Sequence, residues 1–313
     1  MQMINSQERF KKQSLSEYLP DGLMKEADRI MSQFGNDANE IRLRAGRPAV
    51  VMLTNGHRFI RKDIPVSAEE IRLCFEKICG YSVYSHQNDL AQGFITLPGG
   101  HRVGICGCAC LDKSGRRTIR NISSINIRIA SDHAGCSDGI FEHLYSESIV
   151  GTLIAGPPCS GKTTLLKDFG LKLSSKPFYQ KTVLIDERDE LAAMYKGEPC
   201  NAIGEFCDVL CGYPKGEGIM IAVRTLSPDV IICDEIGGKE DAQSVCDAIN
   251  AGVVMIASAH ACNVNELYNR RPIRNLLKSG AFQKIVLLRG GSARCEAACM
   301  MNLAEAEKRW GSG

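Results

Sequence analysis

The nine residues Gly156-Pro157-Pro158-Cys159-Ser160-Gly161-Lys162-Thr163-Thr164 constrain this chain more than any other stretch. They fit the spacing G-x-x-x-x-G-K-[ST]. Gly156 and Gly161 let the backbone turn back tightly, so that successive N–H groups point into one concavity and cradle phosphate oxygens. Lys162 is placed to neutralise the β/γ charge, and Thr163 to offer its hydroxyl to Mg²⁺. The residues from Thr164 to Phe169 start a helix whose N-terminal dipole faces the phosphates. Upstream, Ile149 to Ala155 is an apolar, β-rich run, so the order strand, loop, helix is the one this chemistry requires. The loop predicts a nucleoside triphosphate and magnesium as ligands.

At 313 residues the chain suits two domains, each able to bury its own core. A net charge of +2 argues against a strongly basic nucleic-acid surface, and nucleic acid is not an expected partner. No apolar run reaches the ~18 residues of a membrane span. Glu8, Arg9, Lys11 and Lys12 make the start polar, so neither a signal peptide nor an anchor is expected and the chain reads as cytoplasmic. Fifteen scattered cysteines, several in apolar runs, fit reduced thiols better than a disulfide framework. Cys106, Cys108 and Cys110 alternate along one strand, and side chains two apart project in parallel. They therefore read as small buried hydrophobes and not as a tetrahedral metal site.

Two architectures follow each other. Residues 1 to about 13 read as frayed, and Leu15 to Phe34 as helical with a break at Pro20. Glu40 to Arg44 alternates, with Ile41 and Leu43 facing a core. Asn55-Gly56 predicts a hairpin, Ser67 to Glu70 a capping box opening a helix, and a short helical piece ends near Gly93. Phe94 to Leu97, Pro98-Gly99-Gly100 and His101 to Cys110 read as another hairpin, and Ser124 to Ile129 as a closing strand. This predicts an N-terminal α+β domain over residues 1–135 with a largely antiparallel sheet, then a linker at 136–148. From 149 to 297 strands are expected at Lys181 to Ile185, Ile219 to Val223, Val230 to Cys233, Val253 to Ala259 and Lys284 to Leu288. Alternating with helices, they give the α/β fold of a P-loop NTPase with a mainly parallel sheet. Residues 298–313 read as a tail, a polar helix or disorder.

Several strands end in chemistry. Val230 to Cys233 runs into Asp234 and Glu235, about 70 residues after the loop. Asp234 would hold Mg²⁺ and Glu235 polarise an attacking water. A second strand ends in Asp186-Glu187-Arg188-Asp189-Glu190, whose Glu187, with Glu190, is a candidate to enter the same site; a solvated acidic loop is the plain alternative. A third ends in His260, placed to contact the γ-phosphate or the water and report nucleotide state, or else to serve as a capping residue. Arg224 and Arg102 lead the candidates for an arginine finger, in cis or from a neighbouring subunit, with Arg42, Arg44 and Arg128 behind them.

From about Ile41 to Ala297 the chain resembles the stage III sporulation protein AA family, RecA-like ATPases of spore-forming Firmicutes. The resemblance rests on Glu40 to Pro48, Gly93 to Gly104, Gly156 to Thr164, Ile185 to Arg188 and Arg224 to Glu235. That family is similar to the hexameric motors of type II and type IV secretion and type IV pili. Their order of phosphate loop, acidic box, Walker B and histidine box is matched here by Gly156 to Thr163, Asp186 to Glu190, Asp234-Glu235 and His260. Arg224 matches the arginine those motors place ahead of Walker B. Where they usually carry Gly-Glu, this chain has Asp234-Glu235, which leaves the general base open between Glu187 and Glu235. The resemblance implies ATP and Mg²⁺ as cofactors and a homo-oligomeric ring, a hexamer, in the mother-cell cytoplasm. It also implies membrane-embedded channel proteins around the forespore as partners, and hydrolysis that drives transport or assembly. A nucleotide-switched assembly module with negligible turnover, and a RecA-like nucleic-acid motor, are the alternatives.

Overall fold

The structure, a computed structural model, describes residues 15–82, 86, 90, 93–111, 115, 117–130, 135–291 and 295–310. The frayed start and most of the helical piece expected before Gly93 lie outside the described residues. The chain divides into two compact units, Met1–Asp132 with Tyr195–Cys200, and His133–Met194 with Asn201–Gly313.

In the first unit a 3-10 turn, Leu15–Tyr18, and helix α1, Asp21–Phe34, flank Pro20, and α1 buries Leu23, Ala27 and Ile30. Strands β1 (Ala38–Arg44), β2 (Ala49–Leu53) and β3 (Gly56–Arg61) follow, with Ile41 and Leu43 fully buried as their alternation requires. Helix α2 (Ala68–Ile78) opens on the expected capping box, Glu70 N–H donating to Ser67 Oγ at 3.1 Å and Ser67 N–H to Glu70 Oε2 at 2.8 Å. With β4 (Phe94–Leu97), β5 (His101–Leu111) and β6 (Arg117–Arg128) the sheet runs β3-β2-β1-β6-β5-β4, and every mapped strand pair is antiparallel.

β6 starts well before the expected Ser124, because β1 covers it only at Ser124–Arg128 while β5 pairs with it as far as Arg117. The result is a two-stranded extension, bulged where a side chain on Gly107 would collide with Arg120 O at 2.7 Å. Cys106 and Cys108 lie there exposed and Cys110 half-buried, which corrects the reading of these thiols as core residues. No group of three metal-ligating side chains exists among the described residues.

In the same unit, burial pushes the His101 imidazole down to about 4, and its Nδ1 accepts the Ala130 N–H at 2.9 Å. A depressed histidine is neutral when folded and takes up its proton on unfolding. The stability this contributes is present above the unfolded value of about 6.5 and lost as pH falls toward 4, by roughly 3 kcal/mol in all. Urea midpoints measured at pH 7 and pH 5 are expected to show this loss, and His101→Gln to remove most of the pH dependence.

The second unit is built on a seven-stranded sheet, in the order β11-β8-β12-β13-β7-β14-β15. The strands are β7 (Thr152–Gly156), β8 (Thr182–Asp186), β11 (Cys207–Cys211), β12 (Val230–Cys233), β13 (Val254–His260), β14 (Lys284–Leu288) and β15 (Ala297–Asn302). The short pair β9 (Met194–Tyr195) and β10 (Glu198–Pro199) is separate. Six strands are parallel and β15 runs antiparallel at the edge. Both faces are covered, one core cluster containing Phe169 and Leu184, the other Met255 and Phe282.

Three stretches differ from expectation. The expected linker contains helix α3 (Asp138–Tyr145), which buries Ile140, Phe141, Leu144 and Tyr145; Phe141 and Tyr145 meet Phe169 edge-on at 5.3 and 5.7 Å. Helix α4 (Lys162–Leu173) follows the phosphate loop. Ile219 to Val223 is not a strand but part of helix α5 (Lys215–Thr225), which buries Lys215, Gly218, Ile219 and Ala222 at helical spacing. Gly218 lets it approach closely, since a Cβ there would sit 2.9 Å from Ile185 Cγ2. The strand next to β8 is instead β11. Helices α6 (Lys239–Asn250), α7 (Val264–Asn269) and α8 (Arg271–Lys278) complete the covering, and the expected tail supplies β15 and helix α9 (Leu303–Trp310). No helix among the described residues is long and apolar enough to cross a membrane.

Candidate functional site

Parallel register brings the site together. His260 pairs with Gly156 across β13 and β7, and Cys233 lies opposite both Ala257 and Ile185. The carboxyl ends of β7, β8, β12 and β13 therefore deliver the phosphate loop, the acidic box, Asp234-Glu235 and His260 to one edge of the sheet, where open α/β folds bind ligands. Pro158 to Thr164, Arg188, Glu190, Asp234, Glu235 and His260 line a cavity of about 390 Å³ there.

The loop takes the form its glycines permit. Gly161, at φ +95°, caps the amino end of α4, and Cys159 is also left-handed at φ +60°. Lys162 Nζ donates to the carbonyls of Gly156 (3.0 Å) and Pro157 (2.8 Å). Its burial lowers its pKa below the usual lysine range, while the charges of Asp234 and Glu235 pull the other way.

A continuous hydrogen-bonded chain joins loop to strand ends. Thr163 Oγ1 donates to Asp234 Oδ2 at 2.5 Å, Ser258 Oγ donates to Asp234 Oδ1, and the Glu235 N–H donates to Ser258 Oγ at 2.8 Å. Glu235 itself is left-handed, φ +53°, an arrangement that costs about 1–3 kcal/mol and recurs where geometry serves function. Its carboxylate meets Arg188 Nη1 at 2.6 Å and His260 Nε2 at 3.1 Å. The donor set of a hydroxyl and a carboxylate at Thr163 and Asp234 is all hard oxygen, the chemistry that suits Mg²⁺. Ser160 Oγ and His260 Nδ1 are buried at the loop and strand end without a hydrogen-bond partner.

The family profile for sporulation stage III, protein AA, matches residues 9–302. This chain belongs to that family. It is 36% identical over 284 residues to stage III sporulation protein AA of Bacillus subtilis, covering 88% of this chain and 90% of that protein. Among solved structures, the Yersinia pseudotuberculosis ATPase DotB superposes with a TM-score of 0.61 at 16% identity, covering 95% and 83% of the two chains. The pilus retraction motor PilT with bound ADP gives 0.58 at 17%, covering 84% and 77%. The fold of this sporulation stage III AA chain is thus that of the RecA-like secretion ATPases, preceded by a smaller α+β unit.

Not every expected residue of this family member reaches the cavity. Asp186 is buried and accepts the backbone N–H groups of Glu190, Leu191 and Ala192 at 2.7 to 3.0 Å, so it builds the turn after β8. That turn sends Arg188 and Glu190 into the cavity, whereas Glu187 pairs with Lys215 at 2.5 Å. Arg224 lies exposed near the end of α5, six residues before β12 begins, at the amino edge of the sheet and away from the phosphate loop. Arg102 sits on β5 with its guanidinium 4.2 Å over the Phe94 ring.

Two residues of the site were missed from sequence. Ser258 carried a usable signal, since a hydroxyl inside an otherwise apolar buried strand must find a partner. Arg188 carried none that separated it from the acids on either side.

Proposed function

We propose that this chain is a Mg²⁺-dependent ATPase motor, working as a homo-oligomeric ring, a hexamer, on a membrane-embedded channel complex between mother cell and forespore. The observation that carries the reading is the unbroken connection Thr163–Asp234–Ser258–Glu235, in which the buried Ser258 joins residues of the cavity that Lys162 also lines. In this reading the loop amides and Lys162 bind the phosphates of ATP. Thr163 and Asp234 hold Mg²⁺, which supplies charge neutralisation at the phosphates. Ser258 fixes the carboxylate of Asp234 and the backbone of Glu235, and Glu235 takes the proton of the attacking water. Glu235 is preferred to Glu187 as general base because it lines the cavity and Glu187 is occupied by Lys215. His260, touching Glu235 from the strand beside the loop, is placed to sense the nucleotide.

The test is phosphate release from ATP, expected to need Mg²⁺ and to rise per subunit as protein concentration rises. A strict monomer by mass, with and without a slowly hydrolysed ATP analogue, would overturn the motor.

One observation favours the second reading, a nucleotide-switched module that turns over negligibly alone: Glu235 is clasped by Arg188 and His260. The clasp is exposed on the Arg188 side, and such ion pairs are worth only about 0.2–1 kcal/mol. Arg188→Ala is therefore expected to raise basal turnover by no more than about fivefold. A fall of about 10²-fold or more would instead make Arg188 a ligand of the transferred phosphoryl group.

A further inference from the structure

A second cavity, of about 310 Å³, lies between α6 and α8 and shares no lining residue with the cavity at the phosphate loop. Lys239, Gln243, Arg271 and Asn275 line it and are exposed. Ala242, Cys246 and Pro272, half-buried, and Leu276, buried, line it more deeply. The result is a groove with an apolar floor and a polar rim, carrying two cations and no acid. Among the described residues, neither the Lys239 nor the Arg271 side chain has an ionic or hydrogen-bonded partner. Stability does not account for them. Each is the first residue of its helix, the end at which the backbone dipole favours an acid and opposes a cation. Helix α8 adds Arg274 and Lys278 and contains no acid, and Lys278 follows Arg271 two turns along the same face. The acids of α6 are turned to other uses. Asp241 accepts the Gly238 N–H at 3.0 Å and Asp247 accepts from Gln243 Nε2 at 3.0 Å, and neither lines the groove.

We propose that this groove is a docking surface for an acidic, amphipathic segment of a partner protein, which sets an apolar side chain on the floor and carboxylates against Lys239 and Arg271. The chemistry favours a protein over other anionic partners. A nucleic-acid backbone asks for a run of cations and offers nothing to an apolar floor. A bilayer surface is entered by an exposed apolar face, whereas the apolar face of α8, Ile273, Leu276 and Leu277, is spent in the core of its own unit. A segment with one apolar anchor between acids matches floor and rim together, the anchor supplying affinity and the charges orientation. The surface lies outside the phosphate-loop cavity and does not depend on what binds there.

The test uses the full chain and a fluorescein-labelled peptide of about twelve residues, with leucines along one helical face and glutamates flanking them. Anisotropy titrations are expected to show binding with a Kd below about 0.1 mM. Reversing both charges together, Lys239→Glu with Arg271→Glu, should weaken it about tenfold or more, and replacing the peptide's glutamates by glutamine should do the same. Both substitutions place an acid at the start of a helix, so unfolding temperature is expected to hold. Cys246 reports position. Bound peptide should slow its alkylation by N-ethylmaleimide about tenfold, mapped by mass, while the exposed Cys262 reacts as before. Absence of binding would overturn the proposal, as would binding that the double variant or the glutamine peptide leaves unchanged, or a Cys246 equally reactive with and without peptide. Phosphatidylserine vesicles or single-stranded DNA binding more tightly than the peptide, and losing that binding in the double variant, would also overturn it and give the groove to a lipid or a nucleic acid.

Discussion

Glu235→Gln is expected to lower ATP turnover by about 10²–10⁴-fold, the usual contribution of a positioned proton acceptor, while ATP binding stays near the parent level. The substitution keeps size and backbone. The Glu235 N–H bond to Ser258 and the left-handed φ of +53° belong to the main chain and survive. What is lost is the ability to take a proton, together with the charge that faces Arg188 and His260. Single-turnover phosphate release beside an equilibrium titration with a slowly hydrolysed analogue separates the two effects. Unchanged release would remove Glu235 as base and pass the role to Glu190, the other carboxylate besides Asp234 lining the cavity. Loss of binding equal to the loss of release would mean that Glu235 holds the site together and does not act in the chemical step. Ser258→Ala is the companion measurement, because it leaves Glu235 its carboxylate but unpins its backbone.

What could be read from the sequence was chemistry that is local in the chain. The phosphate loop is nine consecutive residues whose glycines, lysine and threonine each have one job, and the ends of β12 and β13 show as apolar runs that stop at Asp234 and His260. What could not be read depends on folding several residues away. Which member of Asp186-Glu187-Arg188-Asp189-Glu190 faces the cavity is decided by Asp186 accepting three backbone N–H groups and by Asp189 turning left-handed at φ +55°. Periodicity carries no trace of either. The apolar run Ile219 to Val223 was ambiguous for a related reason. A short apolar stretch suits a buried strand or a helix packed on a sheet, and only the close approach allowed by Gly218 settles it. The Gly and Ser content around 135–139 suits a linker, whereas Ile140, Phe141, Leu144 and Tyr145 are spaced as one helical face, and it is this face that α3 buries.

Lys162→Ala should weaken nucleotide binding by about 10- to 150-fold, the equivalent of losing one charge-assisted hydrogen bond of about 1.5–3 kcal/mol. The loop itself is expected to survive, since the carbonyls of Gly156 and Pro157 that Nζ meets also accept the backbone N–H groups of Ala261 (3.3 Å) and Ser160 (3.4 Å). A separate signature ties the effect to charge. Burial holds the Lys162 pKa below the usual lysine range, so in the free protein the ammonium is lost at a lower pH than on an exposed lysine. A triphosphate placed against Nζ favours the charged form and raises that pKa again. By linkage, binding must then take up protons at alkaline pH, and affinity must fall as pH rises through the pKa of the free protein. Titrations in buffers of different ionisation enthalpy read that uptake directly. In Lys162→Ala it should disappear, and what remains of the affinity should be flat over the same range. A parent protein whose affinity held constant up to the ordinary lysine range would show that Lys162 does not meet the phosphates, because a charge that neutralises the ligand cannot be removed without cost.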